Sequence, residues 1–282
     1  DPPQVTAGQL RHFPQFPSQH VPPRDIRVWL PTSYAELRQQ GHKLPVLYLQ
    51  DGQMLFDART TWNGQEWGID EVAAKLIAAG QVPPFIAVGI DNGGPTRRNA
   101  EYFPQKPFVA LPATLQAASH PPQSAAYLRF LTEELMPFIE REFAIQRDSA
   151  WLMGSSMGAL ISLYALTEYP HLFAGAACLS THWPASLAPP QESQTLAAIL
   201  AYLTAHLPPA GHHRLYFDHG DQDLDANYAP YQKQVDQLLQ TKGYTAADSL
   251  SLVFPGQTHD EQAWQDRLHI PLTFLLGANH DS

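Results

Sequence analysis

The clearest signal along the chain is a change of period. Residues 24–30 (RDIRVWL) alternate polar and apolar, as a strand with one solvated face does. Later segments are apolar without a break: 45–50 (PVLYLQ), 85–90 (FIAVGI), 150–153, 174–179, 215–218 and 250–254. Short continuous runs rich in β-branched and aromatic residues suit strands buried on both faces. Between them, apolar residues recur every three or four positions. Residues 68–79 put Ile69, Val72, Ala73, Leu76 and Ile77 on one stripe, and 125–143 do the same with Tyr127, Leu128, Leu131, Leu135, Phe138 and Ile139. Both read as helices, the second kinked or divided at Pro137. Residues 157–169, 194–207 and 228–240 also read as helices. Strands alternating with helices predict an α/β fold with a mostly parallel, doubly wound central sheet flanked by helices.

Residues 1–23 hold six prolines and little periodicity, and read as an extended N-terminal arm before a single catalytic domain over 24–282. The segments 104–123 and 184–192, rich in Pro and Ala, read as insertion loops of the kind that shape binding sites. Composition narrows the function. The chain is 44% hydrophobic and only 16% charged, which excludes global disorder. Its formal net charge of -10 and lack of a basic patch argue against a nucleic-acid partner. Its apolar runs are far too short to cross a bilayer, so no membrane partner is expected. No signal-peptide pattern opens the chain, and Asp1-Pro2-Pro3 reads as a processed or trimmed terminus. The single cysteine, Cys178, lies in an apolar run and is expected in the core; it separates no compartments, and the reading leans only slightly to a periplasmic or secreted protein. Oligomeric state is not legible.

The chemistry concentrates at Gly154-Ser155-Ser156-Met157-Gly158, a G-x-S-x-G pentapeptide between an apolar strand and an apolar helix. That is the context of a nucleophile elbow in the α/β-hydrolase fold, with Ser156 raised above the sheet edge at a helix N-terminus. Ser155, at the variable position, is the weaker serine. In this fold the acid precedes the histidine. His259 follows the last strand and the turn Pro255-Gly256-Gln257-Thr258, and is the expected general base. Three alternating aspartates, Asp221, Asp223 and Asp225, follow the strand that ends at Gly220. Generic spacing selects Asp223 as acid and leaves Asp225 as a helix cap. A calcium loop would want glycine and glutamate where Ala226 and Gln232 stand, so no metal site is expected. One oxyanion donor should be the N–H of Met157, the other the N–H of Gln53 in the turn after the 45–50 strand. Trp62, Trp67, His182 and Trp183 are candidates to line the substrate pocket, with loop or core packing as their alternative.

Several short blocks together resemble the esterase family of α/β hydrolases that includes esterase D, enterochelin esterase, feruloyl esterases and the mycobacterial mycolyltransferases. They are residues 46–53 (VLYLQDGQ) with Phe56-Asp57, Gly89-Ile90-Asp91 followed by Arg98 and Glu101-Tyr102, the elbow, residues 179–183 (LSTHW), and residues 255–259 (PGQTH) with Trp264. The resemblance runs from about Gly8 to Gly277. It implies Ser156 and His259 as nucleophile and base, and Gln53 and Met157 as oxyanion donors. A family pattern over Gly220, Leu224, Asp225 and Tyr228 tilts the acid slightly towards Asp225 over Asp223. Arg98 and Glu101 are expected to pair with one another and brace their loop. The expected activity is serine carboxylic-ester hydrolysis of a small-molecule ester through an acyl-enzyme, with no metal or organic cofactor. The alternatives are acyl transfer to a sugar or alcohol, or a silent relative that binds carbohydrate or siderophore.

Overall fold

The computed structural model describes residues 3–117, 120–185 and 192–277. Eight strands form one sheet: β1 Gln9–Phe16, β2 Arg24–Leu30, β3 Leu44–Leu49, β4 Ile86–Ile90, β5 Ile145–Ser155, β6 Gly175–Leu179, β7 Arg214–His219 and β8 Ser249–Val253. Their spatial order is β1-β2-β4-β3-β5-β6-β7-β8. The pairs β1–β2 and β2–β4 are antiparallel and the remaining pairs are parallel. This is the mostly parallel, doubly wound sheet of the α/β-hydrolase fold.

The period-two geometry of strands splits the core in two. Val46 and Tyr48 join Leu152 and Phe217 on one face, under the helices Met157–Glu168, Glu192–His206 and Ala229–Thr241. Leu47 and Leu49 join Met153 and Tyr216 on the other, under Ile69–Ala78 and His269–Leu276. All of β4 and β6 is buried, which is why those strands read as unbroken apolar runs, whereas the edge strand β8 is only partly covered. Leu152 and Met153 are fully buried, so truncating either to alanine costs about 2–5 kcal/mol. Cys178 is buried in the first core, and burial pushes its thiol pKa up.

Several expectations need adjusting. Strand β2 is almost wholly buried although its sequence alternates. Its polar residues are paired internally: Arg24 with Glu101 at 2.9 Å and Arg27 with Asp91 at 2.9 Å. The stretch read as an arm supplies β1, paired along β2 from Gln9 to Phe16. The 125–143 helix is three pieces: α-helical Ser124–Arg129, π-helical Phe130–Leu135 and α-helical Met136–Glu142. Pro137 has no N–H to give and its ring crowds the carbonyl one turn back, so the wider turn before it absorbs the misfit. The segment read as an insertion loop at 104–123 holds two short helices, Gln105–Val109 and Ala113–Ala117. Residues 186–191 of the other lie outside the described residues. No described helix is long and apolar enough to cross a membrane.

Because β3 to β8 run parallel, the turns after β3, β5, β6, β7 and β8 all open on one edge of the sheet, the edge where open α/β sheets carry their sites.

Candidate active site

Ser156 stands between β5 and the Met157–Glu168 helix with φ 58 and ψ -122. This is a strained conformation for a residue with a Cβ, of order 1–3 kcal/mol. Neighbours hold it there: its N–H donates to Leu179 O at 2.9 Å and its carbonyl accepts the N–H of His182 at 3.2 Å. Strand and helix approach so closely that a Cβ on Gly154 would lie 2.2 Å from Gly158 O. The pentapeptide's first glycine is thus fixed by space. Ser155 is 3% exposed at the end of β5.

His259 reaches Ser156 from the turn after β8, with Nε2 3.0 Å from Oγ. The helix behind it is capped by Asp260, whose carboxylate accepts Ala263 N–H at 2.9 Å. On the other side of the ring, Nδ1 lies 2.7 Å from Asp225 Oδ1. Asp225 sits in a 3-10 turn, Asp223–Asn227, with no side-chain exposure. Burial pushes its pKa up, but hydrogen bonds from His259, Ser180 and the Gly220 N–H outweigh that and hold it below the usual carboxylate range. The other two aspartates point elsewhere. Asp223 starts the turn with φ 55 and is exposed. Asp221 accepts the Gly256 N–H at 2.8 Å and ties the turn after β7 to the one after β8. Among the described residues, no three His, Cys, Asp or Glu side chains gather as metal ligands would.

The turn after β3 supplies the facing wall. Asp51 has φ 55, a left-handed conformation that aspartate tolerates better than most residues. Gly52 follows where a Cβ would fall 2.8 Å from the Asp91 backbone, so no side chain fits. Gln53 is the second residue of the 3-10 turn Gly52–Met54 and Met157 the first of its helix, positions where backbone N–H groups lack intrahelical acceptors. The Asp51 carboxylate is held by Arg98 through two hydrogen bonds of 2.8 Å, and by Asn92 Nδ2 at 2.7 Å. Asn92 N–H in turn donates to Gln53 Oε1 at 3.0 Å. The expected Arg98–Glu101 pair is therefore corrected. Arg98 neutralises the buried Asp51, while Glu101, fully buried, is met by Arg24 from β2 and by Arg97 at 3.2 Å. A buried carboxylate needs a cation close by, and each of these found one from another element.

These groups border a cleft of about 710 Å³ whose wall includes Gln53, Thr60, Trp62, Asn63, Trp67, Arg98, Ser156, His259 and Trp264. Of the expected pocket aromatics, Trp62 is 82% exposed at the mouth. Trp67 lies in the wall but is 1% exposed, packed on Trp264 with ring centroids 5.7 Å apart. His182 stands beside the cleft, its Nδ1 2.8 Å from Tyr228 Oη. Burial, with lesser effects of His259 and Arg98, pushes its pKa down to about 4. Trp183 is corrected: it is fully buried against Phe217 and donates from Nε1 to Gln232 at 3.2 Å, a core residue away from the cleft. Sequence reasoning missed the buried groups behind Asp225: Ser180, Asp218 and Arg267. An aspartate closing the apolar run of β7 was the available signal, since such a residue demands a partner.

Comparison with known proteins bears on the family and the fold. Residues 22–274 match the family model described as "Putative esterase". An uncharacterized protein of Bacillus subtilis, YbbA, is 24% identical over 268 residues, covering 92% of this chain and 95% of its own. A solved ferulic acid esterase superposes with a TM-score of 0.68 at 19% identity, covering 96% of this chain and 99% of that one. The enterobactin esterase FES from Shigella flexneri gives 0.67 at 20% identity, covering 97% of this chain and 60% of its own. The chain belongs to this esterase family and is a carboxylic-ester hydrolase of the α/β-hydrolase fold, acting on small-molecule esters.

Proposed function

We propose that the sheet from β1 to β8 and its flanking helices work as one serine-esterase domain, with β1 joined to the 24–282 unit expected from sequence, using Ser156, His259 and Asp225 as a triad. The observation that carries the reading is the continuous line of contacts from Asp225 Oδ1 to His259 Nδ1, 2.7 Å, and from His259 Nε2 to Ser156 Oγ, 3.0 Å, opening on the cleft. Ser156 Oγ attacks the ester carbonyl while His259 Nε2 takes its proton. The N–H groups of Gln53 and Met157 receive the oxyanion. As the C–O bond breaks, His259 returns the proton to the departing alkoxide, leaving an acyl-Ser156 ester. Water attacks that ester with His259 again as base, and the acid leaves. Asp225 stabilises the imidazolium formed in each half. Exposed Trp62 at the mouth offers a flat face to an aromatic acyl or alcohol group. The names of the structural neighbours, a ferulic acid esterase and an enterobactin esterase, make feruloyl esters and enterobactin the first substrates to assay beside p-nitrophenyl esters.

Ser156→Ala should lower turnover at least about 10⁴-fold with the fold retained, because only binding and oxyanion stabilisation remain. Turnover is followed beside a thermal melt, and a fluorophosphonate should label Ser156 and leave Ser155 free. An alanine variant that still turns over near the wild-type rate ends the proposal. Chelators should not change turnover, since no step above uses a metal.

A further inference from the structure

Behind Asp225 lies a buried polar chain that the three-residue mechanism does not use. Ser180, at the end of β6, is fully buried and has φ 46. Its Oγ touches three groups: Asp225 Oδ2 at 2.7 Å, Trp264 Nε1 at 2.9 Å and Arg267 Nη2 at 2.9 Å. A serine hydroxyl has one hydrogen and two acceptor lone pairs, whereas indole N–H and guanidinium can only donate. Trp264 and Arg267 therefore occupy both lone pairs. The one remaining hydrogen has a single place to go, Asp225 Oδ2.

We infer that Ser180, with Arg267 and Trp264 behind it, is a positioning residue that fixes the direction of every proton in the site; this rests on the triad reading above. Asp225 Oδ2 receives two donors, the Ser180 hydroxyl and the Gly220 N–H at 2.7 Å. A proton on Oδ2 would face both of them, and the Arg267 cation 3.9 Å away favours the ionised form over a proton on Oδ1. The carboxylate is thus kept ionised and accepting, in keeping with its lowered pKa. His259 must then carry its hydrogen on Nδ1, which leaves the Nε2 lone pair facing Ser156. Arg267 also sets the charge of this chain. It bonds Asp218 through Nε at 3.1 Å and Nη2 at 3.0 Å, and lies 3.9 Å from Asp225 Oδ2, so one buried cation serves two buried carboxylates. Tyr216 donates to Asp218 from the far side at 2.6 Å. Trp264 has a second contact, its ring lying edge-on to the His259 imidazole with centroids 5.2 Å apart. The other polar rings facing this pair are Tyr228, 5.8 Å from His259, and His182, which Tyr228 hydrogen-bonds.

The test is Ser180→Ala, with kcat, KM and the pH profile of kcat/KM measured on a p-nitrophenyl ester. Without the donor, Asp225 holds more negative charge and favours the imidazolium. The expected result is a 10- to 100-fold lower kcat, KM within about twofold, and an acid limb displaced to higher pH by about 0.5 unit or more. A wild-type kcat with an unmoved limb overturns the proposal, whatever happens to the melting temperature. Alanine strands two buried donors. Should that variant fail to fold, Ser180→Cys keeps a weak donor, and the same criteria apply to it: a limb moved upward supports the role, an unmoved limb with full kcat overturns it. Ser156→Ala separates the two readings. If it is inactive while the Ser180 variants behave as wild type, the triad stands and only the role of Ser180 falls.

Discussion

The two ends of the parallel strands carry clefts of nearly equal size and opposite character. At the carboxyl ends lies the cleft of about 710 Å³ that holds Ser156 and His259; at the amino ends lies a groove of about 760 Å³ bordered by Pro45, Gln146, Ser149, Arg214 and Asp248. Volume does not tell them apart. Backbone strain does. Among the described residues, the non-glycine positive φ values include Asp51, Ser156, Ser180 and Asp223, which follow β3, β5, β6 and β7 at the carboxyl edge. None of the residues bordering the amino-end groove is among them. Polar groups there tie loops together: Asp248 accepts the N–H groups of Gly211 and Thr245, both at 2.7 Å, and Arg214 donates to Leu275 O at 3.2 Å. At the carboxyl edge, by contrast, buried charges brace the chain that carries the candidate chemistry. Of the six non-glycine residues with positive φ among the described residues, four follow these strand ends, and the other two, Gln15 and Ala185, also lie outside the amino-end groove, so strain gathers at the carboxyl edge.

The largest effect should come from breaking the acid. Asp225→Asn is expected to cost about 10⁴ in turnover, since the amide loses the charge and can hold the wrong histidine tautomer. Asp223→Asn, at an exposed position that begins the turn, should cost less than twofold. Turnover and melting temperature of the two variants, measured side by side, decide the matter. A large kinetic defect in the Asp223 variant at normal stability would return the acid to the position that generic spacing favours.

Next in size is the brace of the facing wall. Arg98→Met should leave Asp51 buried beside Asn92 alone and let the strained 51–53 turn relax. The expected outcome is a 10- to 100-fold fall in kcat with KM nearly kept, because on the proposed mechanism the Gln53 N–H serves the transition state more than the bound ester. Arg98→Lys should not restore it, since a point charge cannot make the paired contact. A fall confined to KM would instead make Arg98 a substrate contact.

How much of this was readable before the structure depends on how local each constraint is. Ser156 and the elbow glycines are dictated by a turn five residues long, so the sequence carries them in full. His259 and Gln53 follow from strand ends, a slightly wider context. Asp223 and Asp225 sit in one 3-10 turn, about two thirds of a turn apart, and which of them faces His259 is set by that turn, which composition does not encode. Arg98 pairs with Asp51, 47 residues away, and not with Glu101 three residues on; sequence proximity favours the latter and only the fold reveals the former. Ser180 and Arg267 are 87 residues apart and belong to no motif, so only the folded sheet edge brings them together. Trp183 lies beyond the end of β6, in a turn, where sequence alone does not say which way a ring points; in the fold it packs on Phe217 in the core.

A third expectation concerns acid. His182 titrates near pH 6.5 when exposed but near 4 in the fold, where burial is the main cause. The unfolded chain therefore binds the extra proton first. Stability from this group is complete above about pH 6.5 and is lost as pH falls towards 4, by about 3 kcal/mol in all. Denaturant unfolding of wild type and His182→Gln between pH 4 and 7 reads it directly. The glutamine variant should show a flatter pH dependence over that interval; an equally steep one would mean that other groups carry the loss.

The smallest expected effects test the amino-end groove. His212 and Gln146 border it and are solvent-exposed. Alanine at either position removes groove surface without leaving a buried group unpaired, and substitutions of that kind usually stay within about 0.5 kcal/mol. For a chain of this length that corresponds to a melting-temperature change of no more than about 2 °C. Turnover on any ester should stay within about twofold, because the sheet separates the groove from Ser156 along the full length of β5, residues Ile145–Ser155. A tenfold loss of turnover with an unchanged melt would show that the groove communicates with the site through that strand, and strain would then no longer distinguish the two ends.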